Sequence, residues 1–154
     1  MTDTVSYAQG QALQVLSFEV GAQTYCVPVS AVREIRGVTP PTPLPEAPPY
    51  VRGVINLRGQ VMPVIDLRNR LGLGVTIPET RHVIVVVECQ DRLAGILVDA
   101  VSETFTVPRD SLQPAPDVGV EELRYIQAII SMENRLITYL RMDDVFPPQV
   151  SQAA

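Results

Sequence analysis

The chain resembles itself. Residues 51–71 (VRGVINLRGQVMPVIDLRNRL) lie over residues 126–146 (IQAIISMENRLITYLRMDDVF) without a gap, each position matching the one 75 places further on. Apolar residues coincide at Val54/Ile129, Ile55/Ile130, Leu57/Met132, Val61/Leu136, Met62/Ile137, Ile65/Leu140, Leu67/Met142 and Leu71/Phe146. Upstream, Val29-Ser30-Ala31-Val32-Arg33-Glu34 lies over Val98-Asp99-Ala100-Val101-Ser102-Glu103 at an offset of 69, so the halves differ mainly in the length of one connector. A duplication constrains the fold, because each half alone is small for a stable core and must share one with its copy. The expected solution is a pair of small barrels packed face to face over a common apolar core. That gives one domain over residues 13–149, with units at 13–75 and 80–149 and flexible tails at 1–12 and 150–154. Alternating strand patterns can converge on such a match by themselves, and the packing of the two halves decides between these origins.

Strand signals dominate elsewhere too, as short runs of Val, Ile and Leu between Gly, Pro, Asp and Asn breaks. They predict strands over residues 13–20, 24–29, 51–57, 60–66, 82–89, 93–98, 125–132 and 135–141. Turn residues at Gly21, at Arg58-Gly59 and at Glu133-Asn134 join several of them as hairpins, so the sheet should be mostly antiparallel. Helices have room only at 30–35, 67–71 and 120–123. Six prolines between Thr39 and Tyr50 (Pro40, Pro41, Pro43, Pro45, Pro48 and Pro49) remove backbone donors and exclude an interior strand there. A stiff surface connector is expected, with a ligand for an aromatic groove as the minor alternative. Residues 107–118, with Pro108, Pro114 and Pro116, form a second connector. The fold class is therefore all-β with short helices.

Function is approached by exclusion. With 154 residues, 46% apolar and 19% charged, the chain has the composition of one folded domain. A net charge of -5 argues against non-specific nucleic-acid binding, which needs a basic face to displace phosphate counterions. The first residues carry an acidic side chain and no basic one, unlike a signal peptide, and no apolar run reaches the roughly 20 residues that span a bilayer. A cytoplasmic protein without direct membrane insertion is expected. The single histidine, His82, opens a strand and is read as a strand-edge residue, which leaves no pair for a His-dependent nucleophile or metal site. Cys26 and Cys89 sit in apolar runs as small hydrophobes. Asp66, Asp99 and Asp143 each follow an apolar strand, where aspartate ends a strand or caps a helix more often than it acts in a carboxylate pair. No catalytic residue, metal ligand or cofactor is assigned, and a small hydrolase remains only if those three carboxylates converge. The turn Asn56-Leu57-Arg58-Gly59 presents an arginine on a tight loop beside Gly53, whose place inside a strand asks for a bulge or a close backbone approach.

The run Val32-Arg33-Glu34-Ile35-Arg36-Gly37, the Leu44-Pro45-Glu46-Ala47-Pro48 stretch and the segment GVINLRGQVMPVIDLR (53–68) closely resemble the CheW family of chemotaxis coupling proteins. Gly95-Ile96-Leu97-Val98-Asp99-Ala100-Val101 and Leu112-Gln113-Pro114-Ala115-Pro116 continue the likeness, which runs from about Leu13 to Phe146, although residues 136–143 match the closing strand only loosely. The resemblance implies two five-stranded SH3-like β-barrels around a shared hydrophobic core. It also implies a non-catalytic adaptor between the cytoplasmic tip of methyl-accepting chemoreceptors and the regulatory domain of a CheA-type histidine kinase, in membrane-attached arrays. An equivalent role in a non-flagellar pathway, for twitching motility or second-messenger output, is the alternative. Transferred by position, the protein-binding surface draws on Val29, Val32, Glu34, Ile35, Gly53 and Arg58, with Asn56, Leu57 and Gly59 shaping the turn and a Glu34–Arg58 ion pair implied. Arg58→Asp or Gly53→Asp is then expected to break partner binding while the isolated chain still folds.

Overall fold

The protein is described from a computed structural model, which covers residues 12–116 and 121–148. Along the chain come β1 (Ala12–Val20), β2 (Gln23–Pro28), a 3-10 turn (Val29–Ala31), β3 (Val32–Gly37), β4 (Val51–Leu57), β5 (Gln60–Asp66) and α1 (Leu67–Arg70). Then follow β6 (Val83–Cys89), β7 (Arg92–Val98), β8 (Ala100–Pro108), a 3-10 turn (Arg109–Ser111) and β9 (Leu112–Gln113). A third 3-10 turn (Glu121–Tyr125), β10 (Ile126–Met132), β11 (Arg135–Leu140) and α2 (Met142–Val145) complete the described chain. Residues 1–11 of the expected tail 1–12, the tail at 150–154, and Val120 of the expected helix 120–123 lie outside the described residues, while Ala12 opens β1.

The strands form two sheets, one in the order β8-β1-β2-β11-β10-β9 and one in the order β3-β6-β7-β5-β4. Both follow the duplication. At the offset of 75, β4, β5 and α1 fall on β10, β11 and α2 without displacement at their starts. At 69, the β1–β2 closing pair Val20↔Gln23 falls on the β6–β7 pair Cys89↔Arg92. The two parallel pairings obey both offsets together, since Val64↔Gly95 in one sheet answers Tyr139↔Cys26 in the other. Convergent strand patterns would not reproduce pairing register as well as sequence.

The repeats are not the sheets. The hairpin β1–β2 opens the first repeat yet sits in the sheet of β8–β11, while β6–β7 opens the second and sits with β3–β5. The division of sequence expected at 75–80 therefore separates the repeats, and each sheet is completed by a hairpin from the other one.

The core has three parts. Ile55, Leu57, Met62, Val64, Ile84, Val86 and Leu97 fill the five-stranded sheet's own interior. Leu13, Val15, Cys26, Val107, Ile130 and Ile137 fill that of the six-stranded sheet. Between them lies a larger shared core with Leu16, Phe18, Val27, Ile65, Val85, Val87, Ile96 and Leu140 at its centre. β6 shows why its apolar run is unbroken: Ile84 and Val86 face one interior, Val85 and Val87 the other.

Arg70 stands where the repeats meet. Its guanidinium lies 3.8 Å from the centre of the Tyr50 ring and 5.0 Å from that of Tyr125, two tyrosines that are 75 positions apart and so occupy matching places. Each tyrosine carbonyl accepts a 2.7 Å bond from the backbone nitrogen of a matching residue, Asp66 for Tyr50 and Arg141 for Tyr125. Arg70 also donates to the carbonyls of Asp144 (2.8 Å) and Val145 (3.2 Å), supplying positive charge at the C-terminal end of α2.

One sequence expectation is corrected, and two strands, β8 and β9, were not foreseen. Residues 30–35 form a 3-10 turn and then strand β3, although Val29, Val32 and Ile35 recur at helical spacing. Pairing with β6, from Val32↔Val87 to Gly37↔Val83, overrides that periodicity. β8 escaped notice because it pairs only with β1 and leaves Ser102, Glu103 and Thr104 exposed, so its sequence lacks alternation. β9, two residues long, is too short for any pattern.

Arg70→Ala should lower unfolding stability by about 2–3 kcal/mol, the range for lost charge-assisted hydrogen bonds and cation–π contact. Urea denaturation with an unchanged slope is the check.

Candidate partner interface

The site is built where the two edges of the five-stranded sheet meet. β3 is one edge strand and β4 the other, yet Arg58, at the β4–β5 turn, donates to Glu34 of β3 at 2.7 Å. The sheet is thus curled until its edges touch. Arg58 and Gly59 both have positive φ (52° and 85°), the signature of a two-residue type I′ turn. Asn56 Oδ1 accepts from the Gly59 backbone nitrogen at 2.8 Å and locks the loop. Arg58 is therefore held out on a rigid turn, with its side chain 73% exposed against 24% for Glu34.

The Arg58 hydrogen bond, ahead of opposing desolvation and of the charges of Arg58 and Arg36, holds the Glu34 carboxyl below its ordinary value. The pair is complete at neutral pH and is lost only as pH falls through that lowered value. A second contact, Arg36 Nη1 to Glu34 Oε2 at 3.4 Å, is long for a hydrogen bond.

The nine sequence-derived residues divide into groups. Glu34, Arg58, Asn56 and Gly59 come together as the turn and its ion pair. Ile35 points outward and is 45% exposed, on the opposite face of β3 from Glu34. Val29 and Val32 are half-buried and pack against the shared core at the seam. Leu57 and Gly53 are inside: Leu57 belongs to the five-stranded sheet's interior, and Gly53 is buried.

For Gly53 the backbone itself requires a glycine. Its φ is +143°, and a Cβ there would stand 2.3 Å from the Thr42 carbonyl oxygen. Thr42 exchanges two backbone hydrogen bonds with Val54, of 2.8 and 2.9 Å, pinning the proline-rich connector to the edge of β4. β4 also shifts register between Val51 and Gly53, so the glycine serves both a bulge and a close approach. An aspartate at 53 would disturb the fold before it disturbed a partner. Sequence reasoning missed Arg36, Thr42 and the 63%-exposed Val61, which flank the turn.

The three aspartates are each engaged separately. Asp66, fully buried, accepts from Arg52 (3.1 Å), from the Thr76 nitrogen (2.9 Å) and from the Thr76 hydroxyl (2.6 Å), and it caps α1 through the Asn69 nitrogen at 3.4 Å. Asp99 accepts from Arg68 and from the Gly21 nitrogen, both at 2.8 Å, while Asp143 accepts from the Cys89 thiol at 3.0 Å. Asp143 lies within the first turn of α2 and does not cap it. His82 is buried just before β6, with Nδ1 accepting from the Glu79 nitrogen at 3.0 Å. Burial first, and then Asp143, pushes the Cys89 thiol up to about 11; burial alone pushes Cys26 to about 12. Neither thiol is a thiolate at neutral pH. Among the described residues no three His, Cys, Asp or Glu side chains gather as a metal site, and no helix is long and apolar enough to cross a membrane.

Comparison with known proteins matches this architecture. The CheW-like domain model matches residues 14–148. The chain is 43% identical to a chemotaxis protein CheW of Rhizobium meliloti (strain 1021) over the full length of both. It is 36% identical to a chemotaxis protein CheW of Bacillus subtilis (strain 168), over 92% of this chain and 91% of that one. The crystal structure of the scaffolding protein TtCheW from Thermoanaerobacter tengcongensis superimposes with a TM-score of 0.79 at 29% identity, covering 85% of this chain and 90% of that one. The chain belongs to the CheW-like family.

Two outcomes are expected. Gly53→Ala should cost roughly 2 kcal/mol or more of stability in a denaturant titration, from backbone overlap and positive φ. In Arg58→Gln the Glu34 carboxyl should titrate higher than in the wild type, as read by carboxyl carbon NMR; an unmoved titration would mean that Arg58 does not hold it down.

Proposed function

We propose that the protein is a non-catalytic coupling adaptor that joins the cytoplasmic tip of methyl-accepting chemoreceptors to the regulatory domain of a CheA-type histidine kinase. One observation carries the reading: an arginine 73% exposed on a locked turn, at the corner where two sheet edges close through its bond to Glu34. An exposed pair of this kind contributes little to stability, so its value lies in presenting a fixed charge. Membership of the CheW-like family supports the same role, as does the scaffolding description attached to the TtCheW structure.

The kinase contact is assigned to the turn and to the outward face of β3, with Glu34, Ile35, Asn56, Arg58 and Gly59. The half-buried Val29 and Val32 at the seam provide apolar contact for a receptor helix. Gly53 and Leu57 act from within, by setting the shape of the hairpin. Such interfaces are modest one at a time and gain strength through multivalency in an array.

Co-purification with a CheA-type kinase and a receptor signalling fragment tests the class, and a ternary complex is the expected result. Arg58→Glu should abolish kinase capture while the melting curve stays that of the wild type. Native capture by this variant would remove the turn from the interface.

A further inference from the structure

We propose that Arg36 is a second recognition residue of the same interface, and that it receives a carboxylate carried by the partner protein beside an aliphatic side chain. The inference rests on the adaptor reading above and names the chemistry that the partner must bring.

Charge comes first. Arg33 is paired with Glu88 across the β3–β6 ladder, which leaves Arg36 and Arg58 to share the single carboxylate of Glu34. The share is unequal: Arg58 holds one oxygen at 2.7 Å, and Arg36 reaches the other only at 3.4 Å. In a chain of net charge -5, two arginines here face one carboxylate among the described ion pairs. A carboxylate is their complement.

Hydrogen bonding makes the same demand. The Nε of Arg36 is shut off from solvent and has no hydrogen-bond partner among the described residues. A guanidinium N–H left without an acceptor costs free energy in the isolated protein, so the resting place of Arg36 is under-satisfied. A carboxylate that draws the side chain outward could accept from Nε and a terminal nitrogen together, in the forked geometry that arginine offers.

The space for it is present. Pairing of the proline-rich connector with β4 is limited to the single bridge Thr42↔Val54. Beside it a groove opens, lined by Pro40 and Thr42 of the connector, by Val54 and Val61 of the hairpin and by Arg36. Val61, 63% exposed, is the apolar half of the site. Two contacts of different chemistry side by side fix orientation as well as affinity.

The test sets stability against binding in the full-length chain. Arg36→Met keeps the aliphatic stem and removes the unpaired donor, so its thermal midpoint should equal or exceed that of the wild type. Its affinity for the kinase regulatory domain, by calorimetry at low salt, should be weaker by about tenfold to a hundredfold, the range for a lost charge-assisted bond. Its affinity should also depend less steeply on salt. Arg36→Met binding like the wild type, or losing stability in step with affinity, would overturn the assignment while leaving the adaptor reading standing. A wild-type chain that does not bind the kinase domain would remove both.

Discussion

Neither repeat can complete a sheet by itself. The inner edge of β5 is satisfied only by β7, and that of β11 only by β2, each through a parallel ladder to a hairpin from the other repeat. Leaving those edges unpaired would strand a row of buried backbone donors and acceptors, which native interiors do not tolerate. The exchange therefore makes the halves interdependent, and the shared core between the sheets follows from it. Arg70 closes the arrangement from outside, since it touches Tyr50 and Tyr125 and caps α2 from α1.

The Arg58 turn and its ion pair inherit their geometry from this frame. β3 is held along β6, a strand of the second repeat, whereas the Arg58 turn belongs to the first repeat's own hairpin. The bond from Arg58 to Glu34 thus reports the curl of a sheet that both repeats built. The second unit repeats the device: Glu103, 69 places after Glu34, pairs with Arg135 at 2.9 Å. There the arginine follows the turn, whose residues Glu133 and Asn134 have positive φ. The ion pair is kept while its arginine moves two places along the hairpin, from 58 to the match of 60.

Much of this was legible in the residues, for reasons that differ by element. The hairpins around Arg58-Gly59 and Glu133-Asn134 announced themselves because turn chemistry and apolar alternation agree. The duplication showed because buried positions cannot drift in size or polarity without cost. β3 and β8 did not show, because each leaves much of its side-chain surface in water, whereas β4, also an edge strand, is marked by its hairpin turn. The ion pair of Arg58 and Glu34 was implied by resemblance, and the close backbone approach at Gly53 was flagged by a glycine inside a strand. Thr42, which makes a side chain at 53 untenable, lies 11 residues upstream in a stretch whose prolines indicated only a connector. Arg36 stayed hidden, since nothing in a sequence tells a satisfied guanidinium from an unsatisfied one.

The repeats have kept their fold and let their surfaces diverge, and buried polar groups show how. Asp66 is sealed by Arg52 and by Thr76, whose backbone and hydroxyl both donate to it. At the matching positions stand Arg141 and Gln127, which line an open groove with Tyr139 and Asp143. The first unit thus draws the segment after α1 inward, while residue 151, the match of Thr76, lies outside the described residues. The buried carboxylate of Asp66 needs its full set of partners, whereas the side chain of Arg141 is exposed and needs none. Two copies of one fold can in this way offer unlike surfaces, which a symmetric duplicate could not provide.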